Sequence, residues 1–202
     1  MATDLFHDKA ADWDSRPTPA QISEGVSAAM KAHVPLSPRL TVMDFGAGTG
    51  LVSGKLAPHV GRVLAVDISQ AMLDQLVKKP ELAGKVEVFC QDLLVAPLER
   101  KVDLVVSAMA MHHVEDTRAL FRALYAHLVP GGRMALADLD TEKGDFHPPE
   151  TVGVFHAGFD RGHLVALAQE AGFTDATCRT ACEVTKDGRR YPIFLLTALK
   201  PA

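Results

Sequence analysis

Three aspartates and three glycines carry the first chemical signal in the chain. Asp44 is followed at alternate positions by Gly46, Gly48 and Gly50, and two further acids come at Asp67 and Asp92. Glycine suits backbone that must approach a ligand closely or take a positive φ. A helix opening directly after such a turn offers unpaired N–H groups to that ligand. A carboxylate at the head of the turn repels a pyrophosphate but suits a ligand with an amino group. Asp67 lies 17 positions beyond Gly50, close to the roughly 20 at which an acid meets ribose hydroxyls. A carboxylate that accepts from both ribose hydroxyls favours an unphosphorylated ribose. Asp92 is then placed to accept from an adenine amino group, with Ile68 and Leu93 against the ring faces. Each aspartate has a plainer reading as the N-cap of a following helix; the matched spacing of all three favours the ligand.

Proton-transfer groups form a second set. His112 and His113 adjoin each other. The stretch 138–159 holds Asp138, Asp140, Glu142, Asp145, His147 and His156, interleaved with Phe146, Phe155 and Phe159. About 20 residues without periodicity suit a binding loop better than an idle connection. As general base, His112 or His156 is expected. No zinc-type spacing such as H-E-x-x-H or paired C-x-x-C occurs, and no metal is expected.

The elements that would position these groups alternate. Strands are expected at 40–43, 62–67, 86–90, 102–107 and 133–137, with Pro130-Gly131-Gly132 as the turn into the last. Between them, helices are expected from Leu51, over 70–78 capped by Ser69, and from Asp116 to Leu128. This is a doubly wound parallel sheet with helices on both faces. The end differs: a helix capped by Asp160, then strands at 176–185 and 191–200 joined through Asp187-Gly188, a hairpin signal. Ahead of the sheet, residues 4–14 read as a short helix carrying Trp13. Thr18-Pro19-Ala20-Gln21 reads as a capping box, and Ile22, Val26, Met30 and Val34 recur every fourth residue as one buried face.

The chain of 202 residues is 48% apolar, enough for one domain, and its formal charge is −4. With a pI near 6.1 and no basic run, no nucleic-acid or membrane surface is expected. The start, Met1 to Leu5, carries an early acid and no apolar core, so no signal peptide is expected. Cys178 and Cys182, an even spacing apart, are expected to share one strand face as reduced, buried thiols in a cytoplasmic protein.

Taken together, Asp44-Phe45-Gly46-Ala47-Gly48-Thr49-Gly50, Asp67-Ile68, Asp92-Leu93, Leu128-Val129-Pro130-Gly131-Gly132-Arg133 and the terminal hairpin resemble the class I S-adenosylmethionine (SAM) methyltransferases. Ser107-Ala108-Met109, with Met111-His112-His113-Val114-Glu115-Asp116, is similar to the small-molecule subfamily that includes ubiquinone and menaquinone biosynthesis enzymes. The resemblance implies a three-layer Rossmann-like sandwich whose seven-stranded, mostly parallel sheet ends in an antiparallel hairpin. It implies SAM as cofactor and S-adenosylhomocysteine (SAH) as product. Contacts to SAM would come from Asp44, Phe45, Gly46, Ala47, Gly48, Gly50, Asp67, Ile68, Asp92, Leu93, Ala108 and Met109. Trp13 would join them if residues 1–38 fold over SAM as a helical cap rather than anchoring a core.

The expectation is then one methyltransferase domain, 1–202, with 138–159 as the acceptor loop. The methyl would pass in line to a small molecule. Ser107-Ala108-Met109-Ala110 stands where amino-methyltransferases acting on adenine or glutamine carry Asn/Asp-Pro-Pro-Tyr, and no Pro-Cys dipeptide is present, so nucleic acid is not the expected acceptor. A homodimer or another partner subunit is an option for completing the site. Two other readings compete: a SAM-binding regulatory protein without catalysis, and an NAD-dependent oxidoreductase. The oxidoreductase is disfavoured by Asp44, by the hairpin and by Leu51, which stands where G-x-G-x-x-G needs its third glycine.

Overall fold

The computed structural model describes residues 4–202; residues 1–3, which the expected cap and the reading of the chain start include, lie outside the described residues. Seven strands form one sheet in the order β3-β2-β1-β4-β5-β7-β6. They are β1 (Thr41–Phe45), β2 (Arg62–Asp67), β3 (Val86–Cys90), β4 (Val102–Ala108), β5 (Leu128–Leu139), β6 (Thr174–Lys186) and β7 (Arg189–Leu199). Strands β1 to β5 pair in parallel, while β7 runs antiparallel to both β5 and β6. The order reverses between β1 and β4, and ligands of doubly wound sheets bind beyond the carboxyl ends at such a point.

Helices α1 (Pro17–His33), α2 (Leu51–Leu56), α3 (Gln70–Leu76), α4 (Thr117–His127) and α5 (Arg161–Glu170) cover the sheet. The every-fourth-residue face of α1 is buried at Ile22, Val26 and Met30 against Val42, Leu104, Leu195 and their neighbours, each such side chain contributing about 1.5–3 kcal/mol. Leu120, Phe121, Leu124, Leu164 and Leu167 of α4 and α5 fill the opposite layer with Met43, Val105, Phe194 and Leu196. The caps act as expected at three helices: Ser69, Asp116 and Asp160 accept from Met72, Ala119 and His163 N–H. Helix α3 ends two residues earlier than expected.

Four local expectations are corrected. Residues 4–14 form no continuous helix but two 3₁₀ turns, His7–Lys9 and Trp13–Ser15. Aspartates favour turns over helix interiors, and here the Asp4 carboxylate bonds the Phe6 N–H while the Asp12 carbonyl takes the Ser15 hydroxyl. Helix α1 starts at Pro17, before the expected cap at Thr18, because a proline is already suited to the first helical position. Pro130-Gly131-Gly132 is no turn between elements. It lies inside β5, where the register jumps from Val102↔Leu128 to Leu104↔Arg133. Finally, Cys178 and Cys182 do not share a face. Between Thr180↔Phe194 and Cys182↔Ile193 the pairing slips; one extra residue inverts the alternation of a strand. Cys178 packs with the α4–α5 layer and Cys182 with the α1 layer. Nor are the thiols buried: Cys178 and Cys182 are half-buried and Cys90 is exposed.

Candidate active site

A cavity of about 870 Å³ opens at the carboxyl ends of β1 to β4. Its first half is built by the glycine turn. Gly46, Gly48 and Gly50 take φ of 68°, 54° and 78°, a region that glycine enters at little cost. At Gly48 the space a Cβ would occupy is empty, leaving open backbone at the cavity wall. At Gly50 the reason is packing instead, since a Cβ would lie 2.7 Å from Leu76 Cγ. Asp67 ties the turn to β2: one carboxylate oxygen accepts from Gly48 N–H at 2.7 Å, the other from Ser69 N–H at 2.8 Å. Because Ser69 itself caps α3, Asp67 is a cavity residue and not a helix cap. Asp92 caps no helix either; it bonds the Leu94 N–H at 2.8 Å.

Asp44 is buried, with its carboxylate accepting from Ser53 Oγ at 2.6 Å. Burial pushes its pKa up to about 7, against the Ser53 hydrogen bond and with help from nearby Asp67. Burial likewise raises Asp67. Carboxylates held in this state gain from a cationic ligand. The exposed side chain of Ile68 and the buried one of Leu93 both reach the cavity wall.

The second half carries histidines. His112 and Asp138, both fully buried, face each other across the carboxyl ends of the adjacent strands β4 and β5, with Nδ1 2.7 Å from Oδ1. Asp138 also accepts from the backbone N–H groups of His112 at 3.2 Å and Leu139 at 2.8 Å. Burial alone would raise Asp138, but its contact with His112 and these hydrogen bonds outweigh it and hold the carboxyl below its ordinary range. An ionised carboxylate only accepts, so Nδ1 carries the proton. Nε2 of His112 has no partner in the protein, although His112 lines the cavity. A buried orphan of this kind calls for a ligand or water.

Two more imidazoles surround it. The His113 ring lies 4.1 Å and the His147 ring 4.9 Å from that of His112. Burial, with the neighbouring His112, lowers both to about 4, so both are neutral at pH 7. His113 Nδ1 donates to the Gly153 carbonyl at 2.6 Å, and His147 Nε2 is a second buried nitrogen without a partner. Met109 takes a φ of 58° at the cavity wall, which costs a non-glycine residue about 1–3 kcal/mol and is typical of sites held by their surroundings.

The structure gathers Trp13, Asp44, Phe45, Gly46, Ala47, Gly48, Asp67, Ile68, Asp92, Leu93, Ala108, Met109 and His112 around this one cavity. Gly50 supports it from behind. His156 is not brought in: its Nε2 bonds the Val114 carbonyl at 2.9 Å and its ring lies on Phe159. Asp140 is held at two points by Arg161, Glu142 bonds the Asp145 N–H, and Asp145 accepts from the Tyr191 hydroxyl, so these acids hold the loop in place. Asp138 pairs with His112 in a way that sequence reasoning did not find; the signal available was its place at a strand end next to β4. The half-buried lining residues Phe6, Lys9 and Lys186 were also missed, and nothing in their spacing marks them.

Among the described residues, no group of three or more His, Cys, Asp or Glu side chains is placed to hold a metal ion, and no helix is long and apolar enough to cross a membrane.

Residues 42–132 match a family described as a methyltransferase domain. An uncharacterised methyltransferase of Schizosaccharomyces pombe is 32% identical over 154 residues, 68% of this chain and 54% of that protein. The chain spans about half the length of the curated relatives it matches. Among solved structures, the methyltransferase in a Haloferax volcanii complex with the activator Trm112 superposes with a TM-score of 0.82 at 18% identity, covering all of both chains. The N-methyltransferase NodS of Bradyrhizobium japonicum, bound to SAH, gives 0.73 at 16% identity, covering 98% of this chain and 95% of that one. With the reversed β7 and the glycine turn beneath the Asp44–Asp67–Asp92 series, these matches mark a methyltransferase domain over residues 42–132 in a chain with the fold of the class I SAM-dependent methyltransferases.

Proposed function

We propose that the protein transfers a methyl group from SAM to a small-molecule acceptor, with His112 as general base. The orphaned, buried Nε2 of His112, a residue backed by Asp138 and part of the cavity lining, carries this reading. Bound SAM supplies a methyl on a positively charged sulfur; the carbon–sulfur pair returns to sulfur as the acceptor's lone pair bonds the methyl carbon. The acidic half of the cavity holds the cation. His112 takes the acceptor's proton at Nε2, and Asp138 keeps the Nδ1–H in place and stabilises the imidazolium. Positioning of this kind supplies up to ~7–11 kcal/mol, and the base a further ~10²–10⁴-fold.

The unit is read as one methyltransferase domain, with 1–38 as its cap and 138–159 as its acceptor loop. Three contacts support these roles. Thr49 Oγ1 donates to Asp14 at 2.5 Å, Ser69 Oγ donates to Asp4 at 2.8 Å, and the Phe155 N–H donates to the His112 carbonyl at 2.9 Å. The segment from Ser107 to Asp116 favours the ubiquinone-type small-molecule subfamily. A partner subunit, as in the Haloferax complex or a homodimer, is the second arrangement that favours activity; light scattering of the purified protein distinguishes it. His112→Ala and Asp138→Asn are expected to lower turnover about 100-fold or more while leaving SAM affinity within about threefold. Labelled-methyl transfer and SAM titration check this, and wild-type turnover in both variants would remove the base from the reading.

A further inference from the structure

The cavity is divided by charge. Its cofactor half is lined by Asp44, Asp67 and Asp92, whereas Lys9 and Lys186 line the half that holds the histidines; Arg16, the other lining cation, lies on Trp13 and is paired with Asp12 at 2.8 Å. These two lysines sit at the ends of one continuous arc. Lys9 lies 5.7 Å from the Phe6 ring centroid, and Phe6 meets His113 edge-on at 5.2 Å. At the other end Lys186 lies 4.9 Å from the Phe146 ring, and Phe146 meets His147 edge-on at 4.9 Å. His112 stands at the centre, between His113 and His147.

Neither lysine is neutralised. The ion-paired lysines of the described residues are Lys55 and Lys79. Lys186 donates to the Phe146 carbonyl, which leaves two of its three protons free. Both lysines are half-buried, and each contributes to holding its neighbouring histidine neutral. The one carboxylate beside the histidines, Asp138, is already spent on His112. Glu115 and Asp116 also line the cavity, but on its exposed rim, and Asp116 caps α4. A half-buried unpaired ammonium at a cavity wall gains most from an anionic partner.

We propose that the acceptor is a small, largely apolar hydroxyl compound carrying an anionic group, which Lys186 binds with Lys9 as the second cation, so that its hydroxyl lies at His112 Nε2. This rests on the methyl-transfer reading above and names the substrate class of that site. The aromatic walls from Phe6, Phe146 and Phe155 suit a planar acceptor. Neutral His113 and His147 leave the lysines as the fixed positive charges beside it.

The test uses three phenols of matched shape: 4-hydroxyphenylacetate, its neutral amide, and tyramine. Each is titrated into the SAH-saturated protein by calorimetry. The carboxylate is expected to bind about tenfold tighter than the amide, with tyramine weakest. In Lys186→Gln the carboxylate-to-amide ratio is expected to fall to about one, with SAH affinity unchanged, and Lys186→Arg is expected to restore most of it. Lys9→Gln, scored the same way, covers a Lys186→Gln protein that does not fold. Equal or tighter binding of the amide or tyramine overturns the proposal, as does binding of none of the three, or a preference that survives the Gln substitution. Failure of the wild type to bind SAH at the outset instead overturns the cofactor reading itself, and this proposal with it.

Discussion

At the scale of single residues, the site runs on carboxylates whose environments differ. Asp44 and Asp138 are both buried, yet burial prevails at Asp44, whereas at Asp138 the contacts with His112 and the Leu139 N–H together outweigh it. The folded value of Asp44, about 7, lies above its ordinary 3.8. Between the two, the folded chain without ligand holds a proton that the unfolded chain has released, so this group lowers stability as pH rises through that window. A ligand ammonium reverses the balance. Asp44→Asn should therefore raise the melting temperature of the ligand-free protein at pH 8 while abolishing most SAM-induced stabilisation. In the wild type, SAM affinity should weaken up to about tenfold per pH unit below 7 and level off above it. Titrations from pH 5.5 to 8.5 check this; a flat profile would remove the role of Asp44. The three strand-end aspartates were legible in sequence because each stands at or just beyond the end of its own strand. The His112–Asp138 pair was not, because its members are 26 positions apart and meet only through the pairing of β4 with β5.

At the scale of elements, the glycine turn is fixed from two sides. Gly50 combines a φ of 78° with a side-chain position already occupied by Leu76. Gly50→Ala should cost about 1–3 kcal/mol, read as a lower urea midpoint with an unchanged m-value. A Gly50→Ala protein as stable as wild type would show that α3 yields freely. The N-terminal segment is held by side chains rather than by helix formation, which explains why helical periodicity misread it. Phe6 and Trp13 meet edge-on at 6.0 Å and both line the cavity. Trp13→Ala is expected to weaken SAM binding about tenfold with little loss of ligand-free stability, since Trp13 is only half-buried; unchanged affinity in a SAM titration would reject the cap. The two cysteines misplaced on one face show a general limit. Period-two reading of β6 fails where the pairing slips between Thr180 and Cys182, and such a slip is set by the partner strand β7, not by local residue types.

At the scale of the whole molecule, a parallel sheet brings its carboxyl ends to one edge, and there the cavity gathers residues from the N-terminal segment to Lys186. The alternating apolar strands and glycine turn made the sheet legible, and Asp187-Gly188 made its reversed end legible. The lining of the acceptor half was not, because it is assembled from the segment around Lys9, the loop at Phe146 and the end of β6. The charge division follows from that assembly, with Asp44, Asp67 and Asp92 on one side and Lys9 and Lys186 opposite. The most direct test of the central claim is a thermal shift with SAM, SAH and NAD side by side. Each is supplied at about 100 times the dissociation constant measured for SAH. SAM and SAH should each add ~2.7 kcal/mol, a rise of about 5–10 °C for a chain of this size, and NAD should add nothing. Stabilisation by NAD alone, or by none of the three, would contradict the account.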